Sequence, residues 1–304
     1  MGMIGMEAAV ASDAAAKARI LMNGAVATLR RMDAPAIVFI GGGNMASALI
    51  GGLLRSGHAA AGVAVVEPSA EQRARLAQQF GVPALAAADA SLAGAAVFVW
   101  AVKPQVFAEA AWPLAGMARD ALHLSVMAGI GCAAIARATG AARIVRSMPN
   151  TPALIGRGIA GLYATPAVSA DERARIEALL APTGQTLWLQ QEADLDAVTA
   201  LSGSGPAYVF YFLEAMTDAG EDMGLTREQA HQLAVATFAG ASELARRSDE
   251  PPAVLRQRVT SKGGTTHAAI ESMEADDMAQ RFMRALDAAE HRARELGDEF
   301  GATN

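Results

Sequence analysis

A glycine-rich stretch near residue 41 has the composition of a phosphate-binding loop. In "IVFIGGGNMASALIGGLL" the pattern Gly41-x-Gly43-x-x-Ala46 lies between a predicted strand and a predicted helix. Gly41 permits a tight turn, Gly43 lets the main chain approach a pyrophosphate, and the small Ala46 keeps the helix close to the strand. The N-terminal end of the helix, at Asn44 and Met45, would face the anion. The stretch therefore predicts a dinucleotide site, and the alternative is a flexible turn without a ligand.

The residues after the second predicted strand concern the choice between NAD and NADP. Glu67 ends that strand, 24 positions after Gly43, where an acidic side chain would accept hydrogen bonds from a ribose. This position favours NAD. Ser69, Arg73 and Arg75 could instead hold the 2′-phosphate of NADP. Glu67 and Ser69 are therefore candidate cofactor-binding residues, and the alternative for Glu67 is a solvated side chain at a strand end.

Two further loops that follow predicted strands carry candidate cofactor residues. Lys103 and Pro104 lie in "AVKPQ", at the carboxyl end of a strand, where ligands bind in open α/β sheets. In "RSMPNTPALIGRG" two prolines flank Asn150 and Thr151 and stiffen the turn. Asn150 could present its side-chain amide to a nicotinamide. The alternatives are a strand-end lysine without a function and an asparagine that closes its own turn.

A parallel sheet is needed to bring these loops together, and the hydrophobic pattern predicts one. From Ala36 onward, short apolar runs alternate with amphipathic stretches, which is typical of βαβ units. The predicted strands cover residues 36–40, 63–66, 96–102, 121–127 and 142–148, and further apolar runs cover 158–164 and 184–190. The pattern therefore predicts an α/β domain with a mainly parallel sheet over residues 36–192.

After residue 192 the pattern becomes helical. Long alanine-rich amphipathic segments cover residues 204–224, 226–247 and 274–301, and they are too long and regular for an α/β unit. An all-α domain is therefore predicted over residues 193–304. Its apolar faces exceed what these helices can bury within one chain, which favours a homodimer. The alternative is a closed helical bundle within one subunit.

The composition favours a small-molecule partner. The formal net charge of −6 argues against nucleic acid, whose binding proteins usually present a basic surface. No uninterrupted apolar run is long enough to predict a membrane span. The single cysteine, Cys132, excludes an internal disulfide and fits a reducing compartment, so a cytoplasmic location is expected. Residues 1–35 lack the pattern of a secretory signal and are interpreted as an N-terminal extension.

The residue types that are missing also narrow the chemistry. The five histidines show no metal-ligand spacing, so no metal site is predicted. The sequence contains no G-x-S-x-G elbow, which would indicate acyl transfer. The pattern instead favours hydride transfer by a nicotinamide cofactor to a small polar substrate.

Five motifs, in this order, resemble those of pyrroline-5-carboxylate reductase. They are "FIGGGNMASALIGGL", "AVKPQ", "RSMPNTPALIGRG", "LSGSGPAYVFYFLEAM" and "VTSKGGTTHAAIE", and the resemblance spans about residues 37–297. It implies reduction of 1-pyrroline-5-carboxylate to L-proline by NADPH or NADH, the final step of proline biosynthesis. It also implies an N-terminal Rossmann-type domain and a C-terminal helical dimerisation domain, which forms a homodimer or an assembly of dimers.

The same resemblance implies a substrate-binding loop in the last motif. The residues carried over are Ser261, Gly263, Gly264, Thr265 and Thr266. Ser261 and Thr266 are the catalytic candidates, with Thr266 near the ring nitrogen of the substrate. Lys262 departs from the proline that many relatives carry at this position, which should alter the stiffness of the loop more than its chemistry.

The residue types of this loop suit a substrate carboxylate. Consecutive main-chain N–H groups at residues 263–265, ahead of a helix that starts near Thr266, would form an anion site that needs no arginine. The alternative is a helix N-cap that binds no ligand. Two other functions also remain open. One is a reductase for another small cyclic imine or a hydroxy acid, and the other is a non-catalytic dinucleotide-sensing protein.

Overall fold

The computed structural model describes residues 35–302 of the chain. These residues form two compact units. The first ends at Gly203 and also includes the C-terminal residues from His291, and the second spans Ser204–Glu290. The predicted N-terminal extension lies outside the described residues, except for residue 35. The predicted boundary between the domains at residue 192 stays a prediction.

The first unit is built on one eight-stranded sheet. The strands are β1 (Ile37–Ile40), β2 (Val63–Val66), β3 (Ala84–Leu85), β4 (Val97–Trp100), β5 (Leu122–Ser125), β6 (Ile144–Met148), β7 (Gly158–Ala164) and β8 (Gly184–Trp188). Their order is β3-β2-β1-β4-β5-β6-β7-β8, and every neighbouring pair is parallel except β6 and β7. The predicted mainly parallel sheet is therefore confirmed. The two-residue strand β3 was not predicted.

Helices cover both faces of this sheet. They are α1 (Asn44–Arg55), α2 (Ala70–Phe80), α3 (Phe107–Ala111), α4 (Cys132–Thr139), α5 (Ala170–Leu180) and α6 (Asp194–Val198). Short 3₁₀ segments cover Ala60–Gly62, Ala90–Leu92, Pro104–Val106, Trp112–Leu114, Thr151–Ile155 and Ala181–Thr183, and one π-helical turn covers Thr199–Gly203. Two local signals fix α2. The Ser69 side chain caps its start, and Gly81 ends it in the left-handed conformation.

Strands β1, β2 and β4 each contribute to two apolar cores, one on either face of the sheet. In β1, Phe39 packs in the core that contains Leu49 of α1, whereas Val38 packs in the opposite core with Phe107 of α3. All four residues of β1 are buried, as are those of β2, β4 and β5. Because both faces are covered, β1, β2 and β4 consist of continuous apolar runs, whereas β5 buries His123 and Ser125 between its leucines.

The helices of the C-terminal region follow one another without intervening strands. They are α7 (Gly205–Asp222), α8 (Arg227–Arg247), α9 (Pro252–Arg258), α10 (Thr265–Ala275) and α11 (Met278–Ala302). The predicted all-α region is confirmed, and the short helix α9 is an addition to the prediction. Helices α7 and α8 pack closely, because a Cβ at Gly220 would lie 2.6 Å from Cβ of Ala230. Within residues 35–302, each helix falls short of the length and apolar character that a membrane crossing requires.

Candidate active site

Gly41 carries the chain from β1 across the ends of the neighbouring strands. Its φ of +95° lies in the left-handed region, and a Cβ there would meet the carbonyl oxygen of Ala101 at 2.6 Å. The Gly41 N–H donates to the carbonyl of Val66, at the end of β2, over 2.8 Å. Glycine is therefore required at this position by the fold itself. The tight turn that the sequence predicted is present between β1 and α1.

Gly43 is different, because the protein's own packing does not require a glycine there. Its φ of −69° suits any residue, and a Cβ would have no heavy atom within 4 Å. Gly43 and Asn44 are exposed, and Met45 is half-buried. Helix α1 has no side-chain cap and no acidic residue in its first turn. The open main chain and the positive end of a 12-residue helix together fit the pyrophosphate of a dinucleotide.

Glu67 connects the end of β2 to the glycine loop. One carboxylate oxygen accepts from the N–H of Gly42 over 2.9 Å, and the other accepts from the N–H of Ser69 over 2.9 Å. The Gln72 side chain reinforces the connection by donating to the Gly42 carbonyl over 2.5 Å. Gly42 and Gln72 were not singled out from the sequence. For Gly42 the only signal in the sequence was an additional glycine between Gly41 and Gly43. A glycine is needed there for a steric reason, because a Cβ would meet the Leu76 side chain at 2.6 Å.

Lys103 and Pro104 lie beside the glycine loop. They follow β4, which pairs with β1 so that Ile40 is opposite Trp100 at the carboxyl ends of both strands. The two loops touch, because a Cβ at Gly41 would lie 3.0 Å from the Val102 side chain. Lys103 is exposed at this edge. The sheet therefore brings these two predicted residues to the same end as Gly41 and Glu67.

The Asn150 side chain is held at both ends. Its carbonyl oxygen accepts from the N–H of Ile159 over 3.1 Å, and its NH₂ group donates to the Ser202 hydroxyl over 3.2 Å. Asn150 thereby joins the turn after β6 to β7 and to the π-helical turn after α6. These contacts bring together the "MPNTP" and "SGSG" motifs. An interaction of Asn150 with a nicotinamide stays a prediction.

The second glycine turn lies between α9 and α10, in the second unit. Gly263 has a φ of +75°, and the Gly264 N–H donates to the carbonyl of Ser261 over 3.0 Å. A Cβ at Gly264 would lie 3.1 Å from that same carbonyl oxygen. Helix α10 begins at Thr265, close to the predicted start, with Gly264 at its N-cap position. The two glycines therefore form a tight turn directly ahead of α10.

The start of α10 can hold an anion. No side chain caps this 11-residue helix, and its first turn contains no acidic residue. Gly264 itself occupies the N-cap position, and the alternative of an N-cap that binds no ligand stays a prediction. Ser261, Thr265 and Thr266 are exposed around this end. Main-chain N–H groups and hydroxyl groups are thus available to a carboxylate at this place.

Two protein families match consecutive parts of the chain. The family described as "NADP oxidoreductase coenzyme F420-dependent" matches residues 36–129. The family described as "Pyrroline-5-carboxylate reductase dimerisation" matches residues 192–296. The first match covers the glycine loop and Glu67, and the second covers the second glycine turn.

Individual relatives match over nearly the whole chain. A pyrroline-5-carboxylate reductase of Pseudomonas aeruginosa is 46% identical, and the match covers 89% of this chain and 100% of that protein. The solved structure of a pyrroline-5-carboxylate reductase of Coxiella burnetii is 36% identical with a TM-score of 0.80, covering 86% of this chain and 98% of that one. A Plasmodium falciparum pyrroline carboxylate reductase, solved with NADP bound, is 26% identical with a TM-score of 0.78, covering 88% and 99%.

Proposed function

The chain belongs to the pyrroline-5-carboxylate reductase family, and we propose which of its residues perform the reaction of that family. It catalyses the reduction of 1-pyrroline-5-carboxylate to L-proline with NADPH or NADH, the last step of proline biosynthesis. One observation carries the assignment of residues. Each of the two glycine turns precedes a helix whose first turn has neither a side-chain cap nor an acidic residue.

The first glycine turn and its neighbours bind the dinucleotide. Gly41 shapes the turn, and Gly43, Asn44 and Met45 offer main-chain N–H groups to the pyrophosphate. Glu67 and Ser69 receive the adenosine ribose. The remaining candidates, at the carboxyl edge of the sheet, are Lys103, Pro104 and Asn150. The bound cofactor supplies the hydride.

The second glycine turn binds the substrate. The N–H groups at Gly263 and Thr265 hold its carboxylate, and Gly264 shapes the turn by donating its own N–H to the Ser261 carbonyl. The hydroxyl groups of Ser261 and Thr266 hydrogen-bond to the substrate. Thr266 orients the ring nitrogen. A cyclic imine that is already protonated needs no strong acid from the protein. The chain's contribution is therefore to hold the ring in position and to exclude water.

We also propose that two chains associate through the helical region, as a homodimer or as an assembly of dimers. The dimerisation family matches residues 192–296. Large apolar side chains are exposed on α7 and α8 in the single chain, including Phe210 and Tyr211 at 64% and 69% and Leu233 and Leu244 at 57% and 60%. Apolar exposure of this extent favours a protein partner. The single cysteine favours a reducing compartment, and we propose the cytoplasm.

The decisive experiment follows the absorbance of the reduced nicotinamide with purified protein. Parallel assays supply three compounds, namely 1-pyrroline-5-carboxylate, a different cyclic imine and a 2-oxo acid. The 2-oxo acid is the oxidised form of a hydroxy acid. Rapid oxidation with 1-pyrroline-5-carboxylate supports the proposal. Oxidation with only one of the other compounds would replace the substrate. Tight cofactor binding without oxidation by any of them would favour the dinucleotide-sensing alternative.

A further inference from the structure

The Glu67 carboxylate is held in place without being neutralised. Both of its oxygens accept from main-chain N–H groups, those of Gly42 and Ser69, each over 2.9 Å. Main-chain N–H groups are neutral donors, so they fix the position of the carboxylate and leave its negative charge uncompensated. Within residues 35–302, neither oxygen is paired with a cation. Glu67 is half-buried at the end of β2, where the adenosine ribose of a dinucleotide lies in folds of this type.

The cation nearest in sequence is bound elsewhere. Arg73 of α2 donates from one guanidinium nitrogen to the main-chain carbonyl of Glu67 over 2.8 Å and to that of Pro68 over 2.7 Å. These contacts bind the guanidinium to the turn between β2 and α2, so Arg73 supports the turn that carries Glu67. Arg75 is exposed two positions further along α2.

The main-chain N–H of Ser69 is committed as well. It donates to the Glu67 carboxylate, and the Ser69 hydroxyl oxygen accepts from the N–H of Gln72 as the cap of α2. The Ser69 hydroxyl keeps its O–H donor, and Arg73 uses one guanidinium nitrogen for the turn. A 2′-phosphate that reached these donors would lie beside the fixed Glu67 carboxylate.

We propose that Glu67 makes NADH the preferred cofactor of this chain. The carboxylate accepts hydrogen bonds from the ribose hydroxyls of NADH. The 2′-phosphate of NADPH carries between one and two negative charges, by analogy with other phosphate monoesters, and would be repelled by the fixed carboxylate. The proposal rests on the reductase function, because it specifies which nicotinamide cofactor serves that site.

The test measures binding of NADH and NADPH by titration, without 1-pyrroline-5-carboxylate. For the unmodified protein we expect NADH to bind at least about tenfold more tightly than NADPH, because like charges in contact disfavour the wrong ligand. Glu67→Gln removes the charge at nearly constant size, and Glu67→Ser also frees the N–H groups of Gly42 and Ser69. Both variants should tighten NADPH binding and weaken NADH binding, and Glu67→Ser should do so more strongly. The thermal midpoint of each variant verifies that it folds.

Two control variants separate this role from a general effect of charge or stability. Glu71→Gln removes the same charge from the exposed first turn of α2 and should leave the ratio of the two affinities unchanged. Arg73→Met should affect both cofactors equally, because the guanidinium supports the turn. A selective loss of NADPH binding in Arg73→Met would instead identify Arg73 as a phosphate anchor.

Several outcomes would overturn the proposal. They are tighter or equal binding of NADPH by the unmodified protein, an unchanged ratio in Glu67→Gln, or no binding of either dinucleotide. Failure of this cofactor proposal can be distinguished from failure of the proposed reductase function. A protein that prefers NADH but does not oxidise it with 1-pyrroline-5-carboxylate would contradict only the reductase assignment. A protein that reduces 1-pyrroline-5-carboxylate but binds NADPH more tightly would contradict only the role of Glu67.

Discussion

The indole N–H of Trp100 donates a hydrogen bond of 2.9 Å to Nδ1 of His123. Nε2 of the same imidazole lies 2.8 Å from the carbonyl oxygen of Ala118. Because Nδ1 accepts, the proton of the neutral ring is on Nε2, which donates to Ala118. Both side chains are fully buried, and His123 stacks on Trp100, which belongs to the core on one face of the sheet. Both ring nitrogens of a neutral His123 are therefore hydrogen-bonded. In a protonated ring, the N–H at Nδ1 would face the indole N–H of Trp100.

This arrangement predicts that the protein loses stability as the pH falls from about 6.5 to about 4. Burial lowers the pKa of His123 to about 4 in the folded chain, from 6.5 for a free histidine. In that window the unfolded chain binds a proton that the folded chain does not, so acid favours unfolding. At about 1.4 kcal/mol per pKa unit, the loss reaches about 3 kcal/mol near pH 4. Thermal midpoints across this pH range measure it.

His123→Gln separates the effect of His123 on the pH dependence of stability from the effect of the carboxyl groups, which also titrate in acid. The variant should be less stable at neutral pH, but its thermal midpoint should depend less steeply on pH than that of the unmodified protein. His291→Gln is the matched control, because the His291 side chain is 74% exposed. If the two variants had the same pH profile, the buried imidazole would not be the cause.

Gly41 and Gly43 should respond differently to the same substitution. Gly41→Ala should lower stability and abolish cofactor binding together, because its Cβ would collide with Ala101 and its φ is +95°. Gly43→Ala should fold with an unchanged thermal midpoint, because its Cβ enters open space. It should nevertheless weaken dinucleotide binding by about tenfold or more, since the added methyl lies where the pyrophosphate approaches. Thermal unfolding and titration with NADH test both variants, and full NADH affinity in Gly43→Ala would refute the placement of the pyrophosphate.

Glu192 should stabilise the first unit through one carboxylate oxygen. That oxygen accepts from the N–H of Cys132, at the start of α4, over 2.7 Å and from Arg146 over 2.8 Å. The Arg146 side chain is only 12% exposed, so loss of its partner leaves a largely buried cation unpaired. Glu192→Ala should therefore cost about 3 kcal/mol of unfolding free energy, and Glu192→Gln, which keeps an acceptor for Cys132, should cost less.

The control for Glu192 is an ion pair of similar length on the surface. Glu243 pairs with Arg246 and Arg247 on α8, and all three side chains are substantially exposed. Glu243→Ala should leave the midpoint of urea unfolding nearly unchanged, because solvent screens exposed pairs. Equal losses in Glu192→Ala and Glu243→Ala would show that burial of Arg146 does not determine the cost.

The sequence was informative where a structural rule acts over a few neighbouring residues. The strands buried on both faces were recognisable as mainly apolar runs. The two glycine turns were recognisable because the positive φ at Gly41 and Gly263 favours glycine, which is visible in the sequence. Strand β3 was missed because two residues provide no periodicity. Helix α9 was missed because it has only seven residues and begins at the second of two consecutive prolines.

The contacts that define the environment of each site residue could not be predicted in this way. Glu67 meets Gly42 across 25 positions, Asn150 meets Ser202 across 52, and Glu192 meets Cys132 across 60. These separations follow from the order of strands in the sheet, which a single sequence does not specify. The residue types of the candidate site were therefore predictable, but the hydrogen bonds that occupy Ser69 and Asn150 were not.

Thr266 should affect turnover more than cofactor binding. Thr266→Ala removes the hydroxyl that we assign to the ring nitrogen and should lower kcat by about ten- to a hundredfold, because misorientation of a substrate is costly. Thr266→Ser, which keeps the hydroxyl, should recover most of the loss. Thr260→Ala is the matched control in the same loop, because its hydroxyl donates to the Arg256 carbonyl over 2.7 Å. Steady-state kinetics with 1-pyrroline-5-carboxylate, together with NADH titration, separate the two effects. An unchanged kcat in Thr266→Ala, or equal losses in Thr266→Ala and Thr260→Ala, would remove this role.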